Sequence, residues 1–258
     1  MASLVGSRVE RKEDKRLLTG KGRYTADINI ANQTYAAFVR SPHARAKIKK
    51  VDISKALKAS GVVSILTGEE IAKDKIGGLI AGWAIRSEDG SEMNVPANPP
   101  LAKDIANFVG EPIAVVFAES LDEARAAADL VKVDYKVLKG VINTADAMKS
   151  EAIHEGIDKN LCYDWLLGDR KAVDEAFAKA DKIIKVDLIN NRLVPNAMEP
   201  RACVVDYNAA SEEITLYTTS QNPHLSRLVM SAFGGVAPEN KLRVVAPDVG
   251  GGFGSKIN

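Results

Sequence analysis

The residues best suited to chemistry form a glycine-rich turn close to the end of the sequence. Gly250, Gly251, Gly252 and Gly254 surround Phe253, and the preceding run LRVVAPDV has the character of a short strand. Glycine permits positive φ and carries no Cβ, so such a turn can bring backbone N–H groups close to an anion or a polar cofactor. The same pattern also occurs in turns that serve only the fold, and the glycines alone leave both interpretations open.

The spacing of the glycines excludes the two common nucleotide motifs. The dinucleotide fingerprint G-x-G-x-x-G requires a third glycine where this chain has other residues, and the phosphate-binding loop requires G-x-x-x-x-G-K-[ST]. The local order here is Gly254-Ser255-Lys256. A nicotinamide-dependent dehydrogenase is therefore a distant alternative.

A second candidate residue is Gln221, which stands between a predicted strand and a predicted helix. Asn222 suits the N-cap, Pro223 suits the first helical position, and Gly234 and Gly235 end the apolar stripe of QNPHLSRLVMSAFGG. A side-chain amide at such a junction can be held rigidly.

Other polar residues give weaker signals. The three histidines lack metal-ligand spacing, and no serine lies in a nucleophile-elbow pattern. The run Met198-Glu199-Pro200-Arg201 could hold an ion pair near a site, although a turn with solvated charges is the preferred interpretation. These patterns give little support to a protein metal site or to a hydrolase.

The elements that must position these residues indicate an α+β fold. We divide the chain into an N-terminal arm and first domain at 1–134, a linker at 135–155 and a second, partial domain at 156–258. Strands are predicted at QTYAAFVR, AKIKKVDI, GVVSIL and PIAVVFA, with helices capped by Thr67 and Ser120. In the second domain, Asp169 should cap a helix with a buried stripe, and DKIIKVDLIN should form a strand.

Composition restricts the partners. Thirty-five basic and thirty-four acidic residues give a net charge of +1, which offers no electrostatic argument for nucleic acid. No run approaches the roughly 18 apolar residues of a membrane span, and the charged start of the sequence does not fit a signal peptide. Cys162 and Cys203 should be reduced, half-buried thiols, so we expect a cytoplasmic protein.

Several stretches together resemble one family, the molybdenum hydroxylases, in the large subunit of xanthine dehydrogenase, aldehyde oxidase and aerobic carbon monoxide dehydrogenase. The amino-acid sequence of these stretches is most similar to that of the carbon monoxide dehydrogenase-like branch. The matching pieces occur in the family's order over nearly the whole chain: EDKRLLTG at 13–20, RSPHA at 40–44, GEP at 110–112, MEPR at 198–201, TSQNP at 219–223 and GGGFG at 250–254.

The resemblance implies an α/β hammerhead domain followed by the beginning of a molybdopterin-binding domain. It implies a molybdenum–molybdopterin cofactor, in some members a cytosine dinucleotide, held without protein ligands to the metal. In the family pattern, the glutamine that matches Gln221 hydrogen-bonds an oxo ligand of molybdenum. The turn matching Gly252, Phe253 and Gly254 lies against the cofactor, so we expect Gln221, Gly250, Gly251, Gly252, Phe253 and Gly254 to be the cofactor-binding residues.

The resemblance also implies a reaction and partners. Family members oxidise small substrates (aldehydes, CO or N-heterocycles) with a metal-bound hydroxyl and pass electrons to Fe–S and FAD subunits. Purine-oxidising members carry Glu where this chain has Ile257, so a xanthine substrate is not expected. The general base and other cofactor contacts belong to a later, C-terminal part of the large subunit. The alternative is a catalytically incomplete fragment that acts as an assembly or interaction module.

Overall fold

A computed structural model describes residues 5–257 of the 258-residue chain. Residues 34–192 form one compact unit, here named the central unit. Residues before 34 and after 192 form a second, here named the terminal unit. The terminal unit therefore contains both the N-terminal arm and the segment with the glycine turn.

Both units combine helices with small sheets, which confirms the predicted α+β class. The helices are α1 Asp14–Leu18, α2 Gly68–Lys73, α3 Leu121–Leu130, α4 Arg170–Lys179 and α5 Pro223–Leu228, with a π-helical turn at Val229–Phe233 and short 3₁₀ turns elsewhere. The strands are β1 Tyr35–Arg40, β2 Ala46–Asp52, β3 Val62–Thr67, β4 Ile105–Ala106, β5 Pro112–Ala118, β6 Lys132–Val137, β7 Cys203–Asn208, β8 Glu213–Thr218 and β9 Leu242–Val245.

The central unit is built from two three-stranded antiparallel sheets, ordered β1-β5-β3 and β4-β2-β6. The continuous apolar run of β5 is explained by its central position, with Ile113 and Val116 fully buried. Helix α3 contributes Ala124 and Ala127, both fully buried, and Ala127 belongs to the same core cluster as Val116. Small residues on this face allow the helix to approach the sheet closely.

The terminal unit contains a three-stranded sheet ordered β7-β8-β9. Strands β7 and β8 are an antiparallel pair, whereas β8 and β9 are parallel. A parallel pair needs a crossover connection, and α5 with the π-helical turn supplies it. Leu216 of β8 and Leu242 of β9 are buried in this sheet.

Three expectations are wrong. The segment DKIIKVDLIN at 181–190 forms no strand, and its apolar side chains are exposed, because no neighbouring strand in the described residues pairs with it. Asp169 does cap α4, but Val173 and Phe177 of its predicted buried stripe are about half exposed. Both cysteines are free, as expected, but exposed.

Candidate functional site

Gln221 and the glycine turn follow two neighbouring parallel strands. Strand β8 ends at Thr218, three residues before Gln221, and β9 ends at Val245, shortly before the turn at 250–254. The carboxyl ends of parallel strands meet at one edge of a sheet, which is a common place for ligand sites in α/β proteins. The strand–helix–strand topology therefore brings together two features that are about thirty residues apart in sequence.

The side-chain amide of Gln221 has a defined orientation. Its Oε1 accepts hydrogen bonds from the backbone N–H of Gly254 at 2.9 Å and of Lys256 at 3.3 Å. The backbone N–H of Gln221 donates in turn to the carbonyl of Lys256 at 2.8 Å. Because backbone N–H groups can only donate, the oxygen must face them. The Nε2 group faces elsewhere, and it has no hydrogen-bond partner among residues 5–257.

The turn has the backbone geometry of a tight reversal. The N–H of Ser255 donates to the carbonyl of Gly252 at 3.0 Å, and the two central residues have positive φ, 51° at Phe253 and 86° at Gly254. Positive φ at both central positions is typical of a type I′ turn. Phenylalanine rarely adopts this conformation, and strained backbone of this kind is concentrated at functional sites. The Phe253 side chain is 74% exposed.

Two of the glycines are needed because the turn packs closely on the protein itself. A Cβ on Gly252 would lie 2.5 Å from Cδ and Oε1 of Gln221. A Cβ on Gly250 would lie 2.5 Å from Cβ of Glu199. Gly254 differs from these two, because a Cβ there would have no neighbour within 4 Å. Glycine is favoured at this position by the positive φ of the backbone.

The N–H groups of Gly251, Gly252 and Phe253 make no hydrogen bond to any residue that the structure describes. Gly252 is nevertheless buried. Buried backbone N–H groups are almost always paired, so the free N–H of Gly252 indicates a place for an acceptor that is not part of residues 5–257. Gly251 is half-buried and Phe253 is exposed, so their N–H groups can also bind water.

A buried ion pair lies beneath the turn. Lys256 Nζ is 3.1 Å from Glu199 Oε2, and the two side chains are 2% and 12% exposed. The same Oε2 accepts the N–H of Gly250 at 2.7 Å. The preferred interpretation of residues 198–201 as a turn with solvated charges is therefore wrong, since Glu199 is paired with a lysine 57 positions away. Arg201 also contacts the turn, because its guanidinium donates to the Ser255 carbonyl.

The residue that leads into the turn is fixed by the N-terminal arm. Both carboxylate oxygens of Asp248 accept from the Arg16 guanidinium, and Oδ2 also accepts the N–H of Arg23 at 2.7 Å. These hydrogen bonds, first that of Arg16, hold the pKa of Asp248 well below its usual range. Asp248 also forms an isolated parallel bridge with Tyr24.

All six residues singled out from the sequence are therefore in one local network of the terminal unit. The roles of Glu199, Lys256 and Asp248 are not evident from the sequence, because their partners are distant along the chain. Elsewhere, His43 packs edge-on against Tyr135, with ring centroids 4.9 Å apart. Within the described residues, no three His, Cys, Asp or Glu side chains group closely enough to hold a metal ion. No helix there has the length and apolar character to cross a membrane.

Two family models match the chain. The model described as "Aldehyde oxidase and xanthine dehydrogenase, a/b hammerhead domain" matches residues 19–139. The "Molybdopterin cofactor-binding domain" model matches residues 153–258, which include Gln221 and the glycine turn.

Curated relatives match over almost the whole chain. The nicotine 6-hydroxylase large subunit of Paenarthrobacter nicotinovorans is 35% identical over 99% of this chain and 30% of its own length. The carbon monoxide dehydrogenase large chain of Afipia carboxidovorans is 33% identical over 98% of this chain and 32% of its own length. The chain thus spans about a third of these relatives.

Two solved structures are also similar to this chain over almost its whole length. Quinoline 2-oxidoreductase from Pseudomonas putida 86 superposes with a TM-score of 0.82 at 32% identity, over 97% of this chain and 31% of that one. A Cu,Mo-CO dehydrogenase gives a TM-score of 0.84 at 31% identity, over 98% of this chain and 32% of that one.

Proposed function

Since the chain belongs to the molybdenum hydroxylase family of aldehyde oxidase and xanthine dehydrogenase large subunits, we propose that it supplies one wall of a molybdopterin site in an oxidoreductase. The observation that carries this proposal is the fixed orientation of the Gln221 amide against the glycine turn, in which the N–H groups of residues 251–253 have no partner among the described residues. Family membership alone would not say which residues face the cofactor.

The residues fit such a group chemically. A molybdenum–pterin cofactor is rich in oxygen and sulfur acceptors and carries negative charge, and this wall presents donors. Gln221 Nε2 is directed away from the two backbone N–H groups that Oε1 accepts, and Gln221 is exposed. The structure describes no carboxylate of the network that is both exposed and free of a cation, since Glu199 pairs with Lys256 and Asp248 pairs with Arg16.

The chain's own part in the reaction is binding and orientation. Gln221 would donate from Nε2 to an acceptor on the cofactor, and the turn at 251–253 would donate from its backbone. The cofactor, when bound, supplies the redox chemistry, as is general for cofactor enzymes. Preorganised donors of this kind stabilise negative charge without having to rearrange. We assign no proton transfer to any residue of this chain.

The substrate and the remaining machinery are further proposals. We propose a small substrate of the aldehyde, CO or N-heterocycle class, and the presence of Ile257 at the end of the turn disfavours xanthine. The relatives are named as a hydroxylase large subunit and a dehydrogenase large chain. We also propose Fe–S and FAD partner subunits and a cytosine dinucleotide form of the cofactor. The catalytic base would lie in a further C-terminal part of the large subunit.

Exposed apolar surface supports partners for this chain. Ile184, Val186 and Leu188 are 77%, 66% and 85% exposed and alternate with Lys185 and Asp187 in a segment without regular structure, and the flanking Ile183 and Ile189 are exposed as well. Alternation of this kind is typical of a strand with one covered face. The rest of the large subunit is the partner that we propose to cover it.

The Gln221→Glu substitution tests the donor role. The carboxylate can still accept from Gly254 and Lys256, but it cannot donate and adds negative charge. Loss of a hydrogen bond to a charged or strongly polar group costs about 1.5–3 kcal/mol, so cofactor retention should weaken roughly tenfold or more. Molybdenum and pterin per chain should be measured in the assembled complex after extended dialysis.

Gln33→Glu is the matched control. Gln33 also accepts a backbone N–H through Oε1, from Ile30 at 3.2 Å, and it is far from the turn in sequence. Its substitution should leave molybdenum content unchanged. Equal retention by the Gln221→Glu and Gln33→Glu variants would contradict the donor role and favour the alternative, an assembly or interaction module.

A further inference from the structure

One carboxylate oxygen, Oε2 of Glu199, contacts both ends of the glycine turn. Oε2 of Glu199 accepts the N–H of Gly250 at 2.7 Å and the ammonium of Lys256 at 3.1 Å. The backbone N–H of Glu199 also donates to the Gly250 carbonyl at 3.3 Å. The seven residues from 250 to 256 are thereby closed into a loop by a single side chain from another segment.

Lys256 connects this closure to Gln221. Its side chain extends beneath the turn to Glu199, whereas its backbone N–H and carbonyl both pair with Gln221. The position of the Lys256 backbone, which determines where Oε1 of Gln221 is held, is therefore coupled to a buried ion pair. No other described side chain links the two ends of the turn in this way.

Burial makes the pair a strong constraint. A charged group removed from water is costly unless it is paired, so each of these side chains holds the other in place. Oε1 of Glu199 is buried and has no partner among the described residues, so Oε2 makes all the described hydrogen bonds of this carboxylate. If Glu199 moved, its contacts with the N–H of Gly250 and with the Lys256 ammonium would both be lost. If Lys256 moved, its ion pair with Glu199 would be lost.

We propose that Glu199 and Lys256 are a positioning pair that sets the orientation of the Gln221 amide toward the cofactor. This inference rests on the proposed function in assigning Gln221 to the cofactor, but the pair's effect on the turn is measurable without it. Neither residue contacts the cofactor in this proposal, and both act through the main chain of residues 250–256.

The test uses the assembled complex, purified from cells that carry a tagged gene, with three variants: Glu199→Gln, Lys256→Met and the double variant. Hydrogen exchange with residue-level fragmentation should show at least tenfold faster exchange at the amides of Gly254 and Lys256 in each variant. Molybdenum per chain should fall several-fold. Lys241→Met is the matched control, because Lys241 Nζ donates to the Ser211 carbonyl at 2.6 Å in the same unit, and it should change neither quantity.

The double variant separates positioning from stability. It leaves no unpaired buried charge, and a glutamine at 199 can still accept from Gly250. We therefore expect its melting temperature to return to that of the parent protein while fast exchange at 254 and 256 persists. Parent-like exchange at those two amides in the double variant would overturn the proposal.

The outcome also distinguishes this inference from the proposed function. A complex without molybdenum would refute the cofactor assignment, yet exchange at Gly254 and Lys256 would still report whether the pair holds the turn. A complex with normal molybdenum but unchanged exchange in the variants would refute the positioning pair alone.

Discussion

At the scale of single residues, the glycines of the turn have different reasons to be glycine. Gly250 and Gly252 allow the turn to pack on Glu199 and Gln221, whereas Gly254 is required by its backbone conformation. The turn is thus fitted to Glu199 and Gln221, while the N–H groups of residues 251–253 have no hydrogen-bond partner among the described residues, and we propose that the cofactor accepts from them.

Gly252→Ala tests this distinction. The new Cβ would lie 2.5 Å from the Gln221 amide, so the amide must move and lose its bonds to Gly254 and Lys256. Overpacking of this kind costs about 1–3 kcal/mol, and we expect a several-fold loss of bound molybdenum. The measurements are the free energy of unfolding and molybdenum per chain in the assembled complex.

Gly254→Ala is the comparison for that substitution. Its Cβ would meet nothing within 4 Å, and its cost of about 1–2 kcal/mol comes from left-handed backbone. Stability should fall while molybdenum retention stays near that of the parent, because the N–H of Gly254 is bonded to Gln221 and is not among the donors that we propose for the cofactor, contrary to the expectation from the sequence. Loss of the cofactor in Gly254→Ala and its retention in Gly252→Ala would show that close packing at Gly252 does not position the Gln221 amide.

The sequence was sufficient to identify Gln221 and the glycines as candidates, because their spacing and flanking caps are local signals. It could not reveal the partner of Glu199, since nothing in the run 198–201 indicates a lysine 57 residues later. Nor could it fix the orientation of the Gln221 amide, which depends on two N–H groups from another segment.

At the scale of elements, parallel pairing of β8 and β9 is what assembles the site. The register pairs Tyr217 with Val245, so the segments that follow both strands leave the sheet at the same edge. Helix α5, capped by Asn222, makes the crossover. The N-terminus of α5, which the sequence predicts correctly, therefore also determines the position of Gln221.

The N-cap of α3 gives a test in the central unit. The Ser120 side chain accepts the N–H of Glu123 at 3.2 Å and donates to its carboxylate at 2.8 Å. Ser120→Ala should lower the free energy of unfolding by about 1 kcal/mol, as is usual for a lost N-cap. Urea denaturation checks this, and an unchanged midpoint would show that the cap contributes nothing measurable.

Elements were predictable where the pattern and the local caps agree. The apolar run of β5, the capping box at Thr67 and the N-cap at Ser120 are confirmed, although the Glu123 carboxylate accepts from the Ser120 hydroxyl and does not complete a capping box. The segment 181–190 has the pattern of a strand but lacks a pairing neighbour in the described residues. A strand needs hydrogen-bond partners outside itself, and this is information that its own sequence does not contain.

At the scale of the whole molecule, the arm at the start of the chain belongs to the unit that carries the turn. Arg16 and Arg23 bind Asp248, which is more than 220 residues away in sequence. Thr25 of the same arm is fully buried. The arm therefore belongs to the structure that supports the site, because it holds Asp248, the residue that leads into the turn.

This contact predicts a pH dependence. The folded-state pKa of Asp248 is lowered, so its contribution to stability is present above the unfolded-state value of about 3.9 and is lost as pH falls below it. Asp248→Asn should be less stable at neutral pH and should lose less stability between about pH 5 and pH 3 than the parent. Melting temperatures across this range provide the measurement.

Asp206→Asn serves as the control for that substitution, because Asp206 is exposed and makes no side-chain hydrogen bond within residues 5–257. Its acid profile should follow that of the parent protein. Identical acid profiles for the Asp248→Asn variant and the parent would show that the Arg16 contact does not contribute to folding.

We propose that this chain forms one wall of a molybdopterin site, and metal and pterin analysis of the complex that contains the chain, purified from its native source, tests this role. We predict about one molybdenum and one pterin for each copy of the chain. A pure, intact complex with neither molybdenum nor pterin would contradict the account.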